Sequence, residues 1–435
     1  MCRPSRTTSP IRPVYMSTTR EDLSQSIAAN EPETPRVVAD TWHRRPDAPY
    51  KLRHMLSLED FEAEAKKYLP RPIFGYISGG SETNAAMRGN REAFNELSFM
   101  PRVLVSTRGR NQKTTLLGQT YDLPFGMAPM GGTSLAAYEG DTVFARTAAE
   151  LNMPMIQSGA SLTTLERVKE VGRTAWFQAY LPGDSAFITK LVERVARGGF
   201  DTLVLTADVP VMANRENNVR NGYSSPLKPT PRLMWDCAIR PRWFFGTWLR
   251  TIANRGMPHL ENMGFDRIPI MSMSMERPRV PRDALAWEHL EHMRKIWKGK
   301  LIVKGVLAAS DVRICRESGC DGVIISNHGG RQLDGTVAPL RALPGAVAEA
   351  GNMAVMMDSG VRRGTDVLKA LALGAHFVFV GRPFLYAASI AGADGLRHAV
   401  KLLRDEIDRN MAMLGINSPK QITRDFLCAS KGLIQ

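Results

Sequence analysis

Eight short apolar runs follow one another from residue 124 onward, separated by segments long enough to form helices. This repetition predicts βα units and a parallel sheet, and eight such units close a barrel. The predicted fold is therefore α/β, a (β/α)8 TIM barrel. In chain order, the predicted strands are Phe125–Pro129, Met153–Ser158, Ala175–Tyr180, Thr202–Asp208, Leu301–Gly305, Gly322–Ser326, Ala354–Asp358 and Phe377–Gly381.

Three further segments complete the predicted organisation. Residues 1–50 are rich in proline and charge and predict an unstructured tail, with the barrel domain spanning residues 51–435. Ser57 and Asp60 resemble a capping box and predict a helical extension that ends near Tyr68. Residues 212–282, after the fourth strand, are longer than a barrel loop requires and predict an insertion.

The cysteine count and the hydropathy pattern indicate in which cellular compartment the chain is expected. Its five cysteines contain no C-x-x-C pair, which argues against a disulfide framework or a zinc site and favours the cytosol. No window of eighteen apolar residues is present, so no membrane-spanning segment is predicted. His289 and His292, with Glu288, could form a metal site, but surface charge pairing explains them more simply, and we predict no metal.

The insertion combines positive charge with aromatic residues. Residues 212–282 contain twelve basic and five acidic residues, a net charge of +7 that is half of the chain's +14. This pattern could contact nucleic acid or anionic lipid. Because no nucleic-acid-binding motif accompanies it, we expect membrane-surface contact through residues 232–260, and the alternative is that the aromatic rings pack on the barrel. Those rings belong to Trp235, Trp243, Phe244, Phe245 and Trp248.

Polar or charged side chains stand at or just beyond the ends of most predicted strands. The carboxyl ends of barrel strands meet at one rim, where barrel enzymes carry their chemistry. The most informative run is Gly322–Gly335, in which a β-branched strand leads to His328, two glycines and Arg331. A histidine there can exchange a proton while an arginine three residues later holds an acid group. The strand-end residues are Ser158, Gln178, Tyr180, Thr206, Asp208, Lys304, Ser326, His328, Asp358 and Arg382.

The loops after the last two strands predict a phosphate site. Gly360 and Gly364 can expose backbone N–H groups, and Arg362 and Arg382 add charged, forked donors. Lys304 could place a positive charge beside a ring that gains electrons, and Gln178 and Thr206 could bond to its amide edge. These demands fit flavin mononucleotide (FMN).

The chain resembles the FMN-dependent 2-hydroxy-acid oxidoreductases, which include glycolate oxidase, respiratory L-lactate dehydrogenase and mandelate dehydrogenase. The resemblance extends from about residue 54 to residue 430. The motifs that carry it are Ser326–Asp334 (SNHGGRQLD), Asp358–Asp366 (DSGVRRGTD), Lys369–Ala375 (KALALGA) and Phe177–Tyr180 (FQAY).

The resemblance implies oxidation of an L-2-hydroxy acid, of the lactate or mandelate class, to the 2-oxo acid. It implies that His328 is the base at the substrate hydroxyl or α-carbon, with Asp208 stabilising its charged form. Arg215 and Arg331 would clamp the substrate carboxylate. Tyr76 and Tyr180 would hydrogen-bond the substrate, and Lys304 would favour the reduced, anionic ring. The implied FMN-binding residues are Pro129, Met130, Gly131, Ser158, Gln178, Thr206, Lys304, Ser326, Asp358, Ser359, Gly360, Arg362, Gly381 and Arg382.

Three positions depart from the family pattern: Gly131 stands where oxidases usually carry alanine, Gly75 stands where several relatives carry aspartate, and Ser359 replaces a common glycine. The extra room at Gly131 suggests a bulkier substrate. We expect a cytoplasmic, homo-oligomeric (tetrameric) dehydrogenase, peripheral on the inner membrane face, that passes electrons to quinone or another carrier. The alternatives are a soluble oxidase that forms hydrogen peroxide and an FMN-binding modifying enzyme. Whether a hydride or a carbanion is transferred stays open.

Overall fold

The computed structural model describes residues 48–264, 267–274 and 282–430. Eight parallel strands, taken in chain order, form a closed barrel, which confirms the predicted fold. Each strand lies within two residues of its predicted bounds. The strands are β1 (Phe125–Met127), β2 (Met155–Ser158), β3 (Ala175–Ala179), β4 (Thr202–Thr206), β5 (Lys300–Val306), β6 (Gly322–Ile325), β7 (Ala354–Met357) and β8 (Phe377–Val380).

The barrel interior is packed with large apolar side chains, so it forms a core and not a pore. Ile156, Val204, Ile302, Ile324 and Met356 are completely buried there, one from each of five strands. An antiparallel hairpin of Thr114–Leu116 and Gln119–Tyr121 adds Leu116 and Tyr121 to the same cluster. The hairpin therefore closes one end of the barrel.

Helices surround the barrel and bury their apolar faces against it. The helix after β7 begins at Gly364 and is followed by Gly374, whose φ of +100° is a left-handed conformation that favours glycine. The surrounding helices are Thr133–Ala136, Gly140–Glu150, Leu165–Val171, Ser185–Arg197, Trp287–Ile296, Ala309–Glu317, Pro339–Ala350, Gly364–Ala372 and Arg382–Leu414, the last interrupted at Ala391 and Gly392.

Three helices precede the barrel: Asp60–Tyr68, Arg71–Ser78 and Ala85–Asn95. The first helix begins where Asp60 accepts hydrogen bonds from the backbone N–H groups of Leu56 and Ser57, at 2.7 and 2.9 Å. The predicted helical extension is thus confirmed. The predicted tail at residues 1–50 lies outside the described residues, except for its last three.

The insertion after β4 contains short helices and a small β-bridge. Its elements are Glu216–Asn221, Pro231–Ala238, Pro241–Trp243, a π-helical stretch Phe244–Leu249, Arg250–Arg255, and the paired segments His259–Leu260 and Ile268–Pro269. Among the described residues, no helix is both long and apolar enough to cross a membrane.

The insertion is held on the barrel by aromatic residues, as the alternative interpretation proposed for them. Trp243 is only 3% exposed, and its indole N–H donates to the carbonyl of Leu135 at 2.8 Å. Trp248 stacks on Trp243, with ring centroids 6.3 Å apart. Trp243 therefore packs on the barrel, whereas Trp235 and Phe245 are exposed.

Candidate active site

A cavity opens at the carboxyl ends of the barrel strands and encloses about 1210 Å³ of empty space that is continuous with solvent. Most of the predicted site residues line it: Tyr76, Pro129, Met130, Gly131, Tyr180, Thr206, Arg215, Lys304, His328, Arg331, Asp358, Ser359, Gly360, Arg362, Gly381 and Arg382. Ser158, Gln178, Asp208 and Ser326 are also at this rim but lie behind the lining residues.

His328 lies in the loop after β6 with its backbone in the left-handed region, at φ +58°. Its Nδ1 is 3.0 Å from Oδ1 of Asp208, and its Nε2 is 3.5 Å from the hydroxyl of Tyr180. Gly305 makes room for this pair, because a Cβ at that position would lie 2.5 Å from Cγ of Asp208. The structure therefore pairs His328 with Asp208, as the family resemblance implies, and leaves Nε2 on the side of Tyr180.

The electrostatics of the pair differ from expectation in one respect. Burial lowers the pKa of His328 below its usual 6.5; Asp208 opposes that shift, and Lys304 and Arg215 add to it. Asp208 acts to raise the pKa of His328, as expected, but the lowering by burial is larger. Burial raises the pKa of Asp208, but the charge and hydrogen bond of His328 reverse this and lower it below its ordinary value. A neutral imidazole beside an ionised carboxylate suits proton abstraction.

Arg215 and Arg331 lie on the same wall of the cavity. Nη1 of Arg331 donates to the carbonyls of Tyr76 and Gly79, at 2.6 and 2.8 Å, and its guanidinium stacks over the Tyr76 ring at 4.9 Å. Burial and the nearby charge of Arg331 lower the pKa of Arg215 to about 10. Two buried cations side by side favour an anionic ligand between them.

Gln332 holds Arg215 in place, a role that sequence reasoning missed. Its Oε1 accepts from Nη2 of Arg215 at 2.6 Å, and its Nε2 donates to the carbonyl of Asp208 at 3.1 Å. Nε of Arg215 also donates to the carbonyl of Arg331 at 3.1 Å. Gln332 was visible in the motif beside Arg331, but its bond to a residue 117 positions away had no signal in the sequence.

Lys304 lies two residues before the end of β5 and is buried. Its ammonium group contacts residues that directly follow β6 and β7. Its Nζ lies 2.8 Å from Oγ of Ser326 and 2.9 Å from Oδ2 of Asp358. Burial lowers the pKa of Lys304, but Asp358 and Asp208 outweigh burial and raise it above the ordinary lysine value. The side chain therefore stays positively charged at the floor of the cavity.

Two further arginines, Arg362 and Arg382, create the predicted phosphate side. Arg382 donates to the carbonyls of Ile77, Gly79 and Gly329 at 2.9 to 3.0 Å. Burial and the charge of Arg331 lower the pKa of Arg382 to about 9, and burial also lowers the pKa of Arg362. Such buried, mutually repelling cations fit a phosphate dianion.

Polar atoms beneath the cavity fit the heteroatom edge of a flavin. Within the described residues, Nε2 of Gln178 and Oγ1 of Thr206 are buried and make no hydrogen bond. Buried polar atoms are usually satisfied, so these two indicate a bound group. The residues present therefore fit FMN: a charged phosphate side, a lysine at the floor and free polar atoms between them.

The mouth of the cavity contains residues that sequence reasoning did not single out. Val209 and Met212 supply apolar surface, and Arg282, at the end of the insertion, stacks over the Tyr180 ring at 4.9 Å. A Cβ at Gly131 would lie 3.1 Å from Cβ of Ala160 and 3.5 Å from the Tyr76 hydroxyl. Gly131 therefore keeps space open beside Tyr76.

The two histidines considered for a metal make separate contacts. His289 Nδ1 accepts from the backbone N–H of Ala286 at 3.1 Å, and His292 Nε2 lies 2.9 Å from the hydroxyl of Thr189. Each imidazole is thus engaged in a hydrogen bond with a different partner.

Comparison with known proteins identifies close similarity over most of the chain. A family model described as FMN-dependent dehydrogenase matches residues 65–429. The (S)-mandelate dehydrogenase of Pseudomonas putida is 34% identical over 379 residues, which cover 86% of this chain and 94% of that protein. An L-lactate dehydrogenase of Xanthobacter autotrophicus is 35% identical over 378 residues, covering 85% and 96% respectively. A crystal structure of the monotopic membrane protein (S)-mandelate dehydrogenase superposes with a TM-score of 0.81 at 33% identity, covering 87% of this chain and 100% of that chain.

Proposed function

The chain belongs to the FMN-dependent dehydrogenase family, and on that premise we propose how its residues oxidise an L-2-hydroxy acid to the 2-oxo acid. The observation that carries the proposal is the convergence of His328, Arg215 and Arg331 on one cavity. FMN supplies the two-electron acceptor when bound. The protein's own residues bind the acid, orient its α-carbon and remove a proton.

Arg215 and Arg331 hold the substrate carboxylate, and Tyr76 adds a hydrogen bond. Fixing the carboxylate at two points restricts the orientation of the α-carbon and its hydrogen. Nε2 of His328 takes a proton from the hydroxyl or the α-carbon, and the hydroxyl of Tyr180, 3.5 Å away, contacts the same substrate oxygen. Asp208, 3.0 Å from Nδ1, stabilises the imidazolium that results.

The base assignment is tested by substituting His328 with alanine. The variant should still bind FMN and remain yellow, but L-lactate or L-mandelate should no longer bleach it anaerobically. His292→Ala, which removes a remote histidine, is the matched control and should bleach normally. Bleaching of the His328→Ala variant at the normal rate would exclude the assignment.

The cavity mouth favours a substrate of the lactate or mandelate class. Gly131 and Ala160 are small, and Val209 and Met212 offer apolar surface for the substituent on the α-carbon. An anaerobic bleaching screen with lactate, mandelate, glycolate and 2-hydroxy fatty acids measures this preference. A strong preference for glycolate would contradict an enlarged pocket.

The electron acceptor is proposed to be a membrane quinone, because the insertion presents a surface suited to an anionic bilayer. We call this surface the insertion patch. Its exposed apolar residues occur within or directly after two helical segments, and four arginines accompany them. Apolar and aromatic side chains enter the interface while arginines contact lipid headgroups. The insertion patch consists of Met234, Trp235, Ile239, Phe245 and Leu249 with Arg232, Arg240, Arg242 and Arg250.

Co-sedimentation with vesicles that contain anionic lipid tests the insertion patch. The wild-type protein should sediment with the vesicles, and the double substitution of Trp235 and Phe245 with serine should release it. Turnover with a quinone analogue should exceed turnover with oxygen. Rapid oxygen-only turnover together with failure to bind vesicles would instead support the soluble oxidase that forms hydrogen peroxide.

A homo-oligomer is proposed from a second exposed apolar surface. Val103 and Leu104 are 80% and fully exposed, and Leu104 adopts φ +61°, an unusual conformation for a leucine. Met413 is exposed on the adjoining helix. Light scattering of the purified protein should give a multiple of the chain mass, and the family resemblance suggests a tetramer. Leu104→Ser should reduce the measured mass.

A role as an FMN-binding modifying enzyme is the remaining alternative. Such an enzyme would not need two guanidiniums and a histidine–aspartate pair in one cavity. It would leave FMN unbleached by every 2-hydroxy acid in the screen.

A further inference from the structure

Ser359 occupies a backbone conformation that a non-glycine residue rarely adopts. It follows β7 with φ +79°, in the left-handed region where a side chain is strained. Its side chain makes two hydrogen bonds that a glycine could not make. The hydroxyl accepts from the backbone N–H of Gly329 at 3.0 Å and donates to Oδ1 of Asp358 at 2.9 Å.

These two bonds complete a closed ring of hydrogen bonds at the floor of the cavity. Oδ2 of Asp358 is 2.9 Å from Nζ of Lys304, and Nζ donates to Oγ of Ser326 at 2.8 Å. The same Ser326 oxygen accepts from the backbone N–H of His328 at 3.0 Å. His328 and Gly329 are consecutive in the chain, so the hydrogen bond from Gly329 to Ser359 closes the ring.

The ring joins two functional groups that come from different strands. Lys304 extends from β5, whereas His328 lies in the loop after β6, and Asp358 and Ser359 follow β7. The backbone N–H of His328 donates to the Ser326 hydroxyl, and the backbone N–H of Gly329 donates to the Ser359 hydroxyl. These two bonds hold the backbone on both sides of His328, whose own φ is +58°. Without Ser359, the backbone N–H of Gly329 would lose this hydrogen bond, whereas the bond from His328 to Ser326 would remain.

We propose that Ser359 is a positioning residue that couples the charged pair Lys304–Asp358 to the backbone of His328. The proposal rests on the proposed function, because it assigns His328 and Lys304 their roles beside substrate and FMN. By donating to Asp358, the Ser359 hydroxyl offsets part of the carboxylate charge and leaves the lysine charge less compensated at the cavity. By accepting from Gly329, it holds the base in a strained but defined conformation.

Two variants separate the hydrogen bonds of Ser359 from its backbone strain. Ser359→Ala loses both bonds and keeps the strain, whereas Ser359→Gly loses both bonds and relieves the strain. The apoprotein of the alanine variant should therefore unfold at a lower temperature than that of the glycine variant. Ser389→Ala removes a buried serine hydroxyl, bonded to the carbonyl of Tyr386 at 2.7 Å, and is the matched control away from the cavity.

The functional measurements are the midpoint potential of bound FMN and the anaerobic rate of bleaching by L-lactate or L-mandelate. Both Ser359 variants should shift the potential to more negative values, because the Asp358 charge then opposes electron uptake more strongly. Both should slow bleaching about tenfold at saturating substrate, the loss of about one hydrogen bond to a charged group, with little change in half-saturation. Ser389→Ala should change neither quantity.

A normal potential and a normal rate in the glycine variant would overturn the proposal, since the alanine variant's defects would then follow from strain alone. Failure of the proposed function would give a different experimental result. In that case the wild-type protein itself would not be bleached by any 2-hydroxy acid, whatever residue stands at position 359.

Discussion

At the scale of single residues, the site depends on partners that sit behind the side chains facing the cavity. Asp208 does not line the cavity, yet its Oδ1 is 3.0 Å from the imidazole of His328. Gln332 plays the same part for Arg215. Preorganised partners of this kind reduce the reorganisation needed when the reaction begins.

Asp208→Asn tests the partner of the base. An amide cannot stabilise the imidazolium as a carboxylate does, so we expect bleaching by hydroxy acid to slow by about 10- to 100-fold, the equivalent of one hydrogen bond to a charged group. Stopped-flow absorbance of FMN measures the rate. Asp201→Asn, at the opposite end of the barrel, is the control and should have the wild-type rate; an unchanged rate in Asp208→Asn would remove Asp208 from the mechanism.

The pH profile follows from the lowered pKa of His328. Only the neutral imidazole accepts a proton, so kcat/KM for bleaching should rise with pH and reach half of its plateau below pH 6.5. Because Asp208 opposes the downward shift, Asp208→Asn should move the half-maximum to still lower pH. A half-maximum above pH 6.5 in the wild-type protein would contradict the environment described for His328.

The sequence predicted the site residues with distinctive chemistry but not the residues that contact them and hold them in place. His328, Arg331 and Lys304 stand at strand ends, where the barrel rim predicts function. Gln332 and Arg282 gave no such signal, because their roles depend on contacts with residues more than one hundred positions away. The net pKa shift of His328 was also missed, since burial depends on packing that the sequence does not display.

At the scale of elements, the strands and the presence of the insertion were predictable, but the internal structure of the insertion was not. Each barrel strand is a short apolar run at a regular spacing, and period and spacing are properties of the sequence. The observed strands end one or two residues earlier than predicted in several cases, as at Ala179 and Thr206, because the last polar residues already turn into rim loops. The insertion has no repeat, so composition alone could not say which aromatic rings face the barrel.

The attachment of the insertion is tested by two tryptophan substitutions. Trp243→Ala removes a buried ring and its hydrogen bond to Leu135, so it should lower the free energy of unfolding by about 3–5 kcal/mol. Trp235→Ala removes a ring that is 66% exposed and should change the free energy of unfolding by no more than about 0.5 kcal/mol. Urea unfolding measures both values, and equal losses would show that the insertion is not held through Trp243.

At the scale of the whole molecule, FMN is expected to act as a structural ligand as well as a redox group. Arg362 and Arg382 form the phosphate side of the cavity, where burial and the charges of Arg331 and Arg362 lower the pKa of Arg382 to about 9. A bound phosphate offsets this repulsion. The fold therefore gathers charges that favour the loaded protein over the empty one.

Removal of FMN should consequently lower the unfolding temperature. Restoring FMN at one hundred times its dissociation constant should stabilise the protein by about 2.7 kcal/mol. Riboflavin has the ring but no phosphate and should stabilise less at the same concentration, which differential scanning fluorimetry can measure. Equal stabilisation by the two compounds would indicate that the arginines do not bind the phosphate.

The hairpin that contains Leu116 and Tyr121 packs on the end of the barrel opposite the cavity. The hydroxy acid and the oxidant of reduced FMN are therefore both expected to react in the cavity at the carboxyl ends of the strands. Two reactants that use the same cavity bind in turn, so steady-state kinetics should follow a ping-pong scheme. A large excess of either reactant should then inhibit turnover of the other.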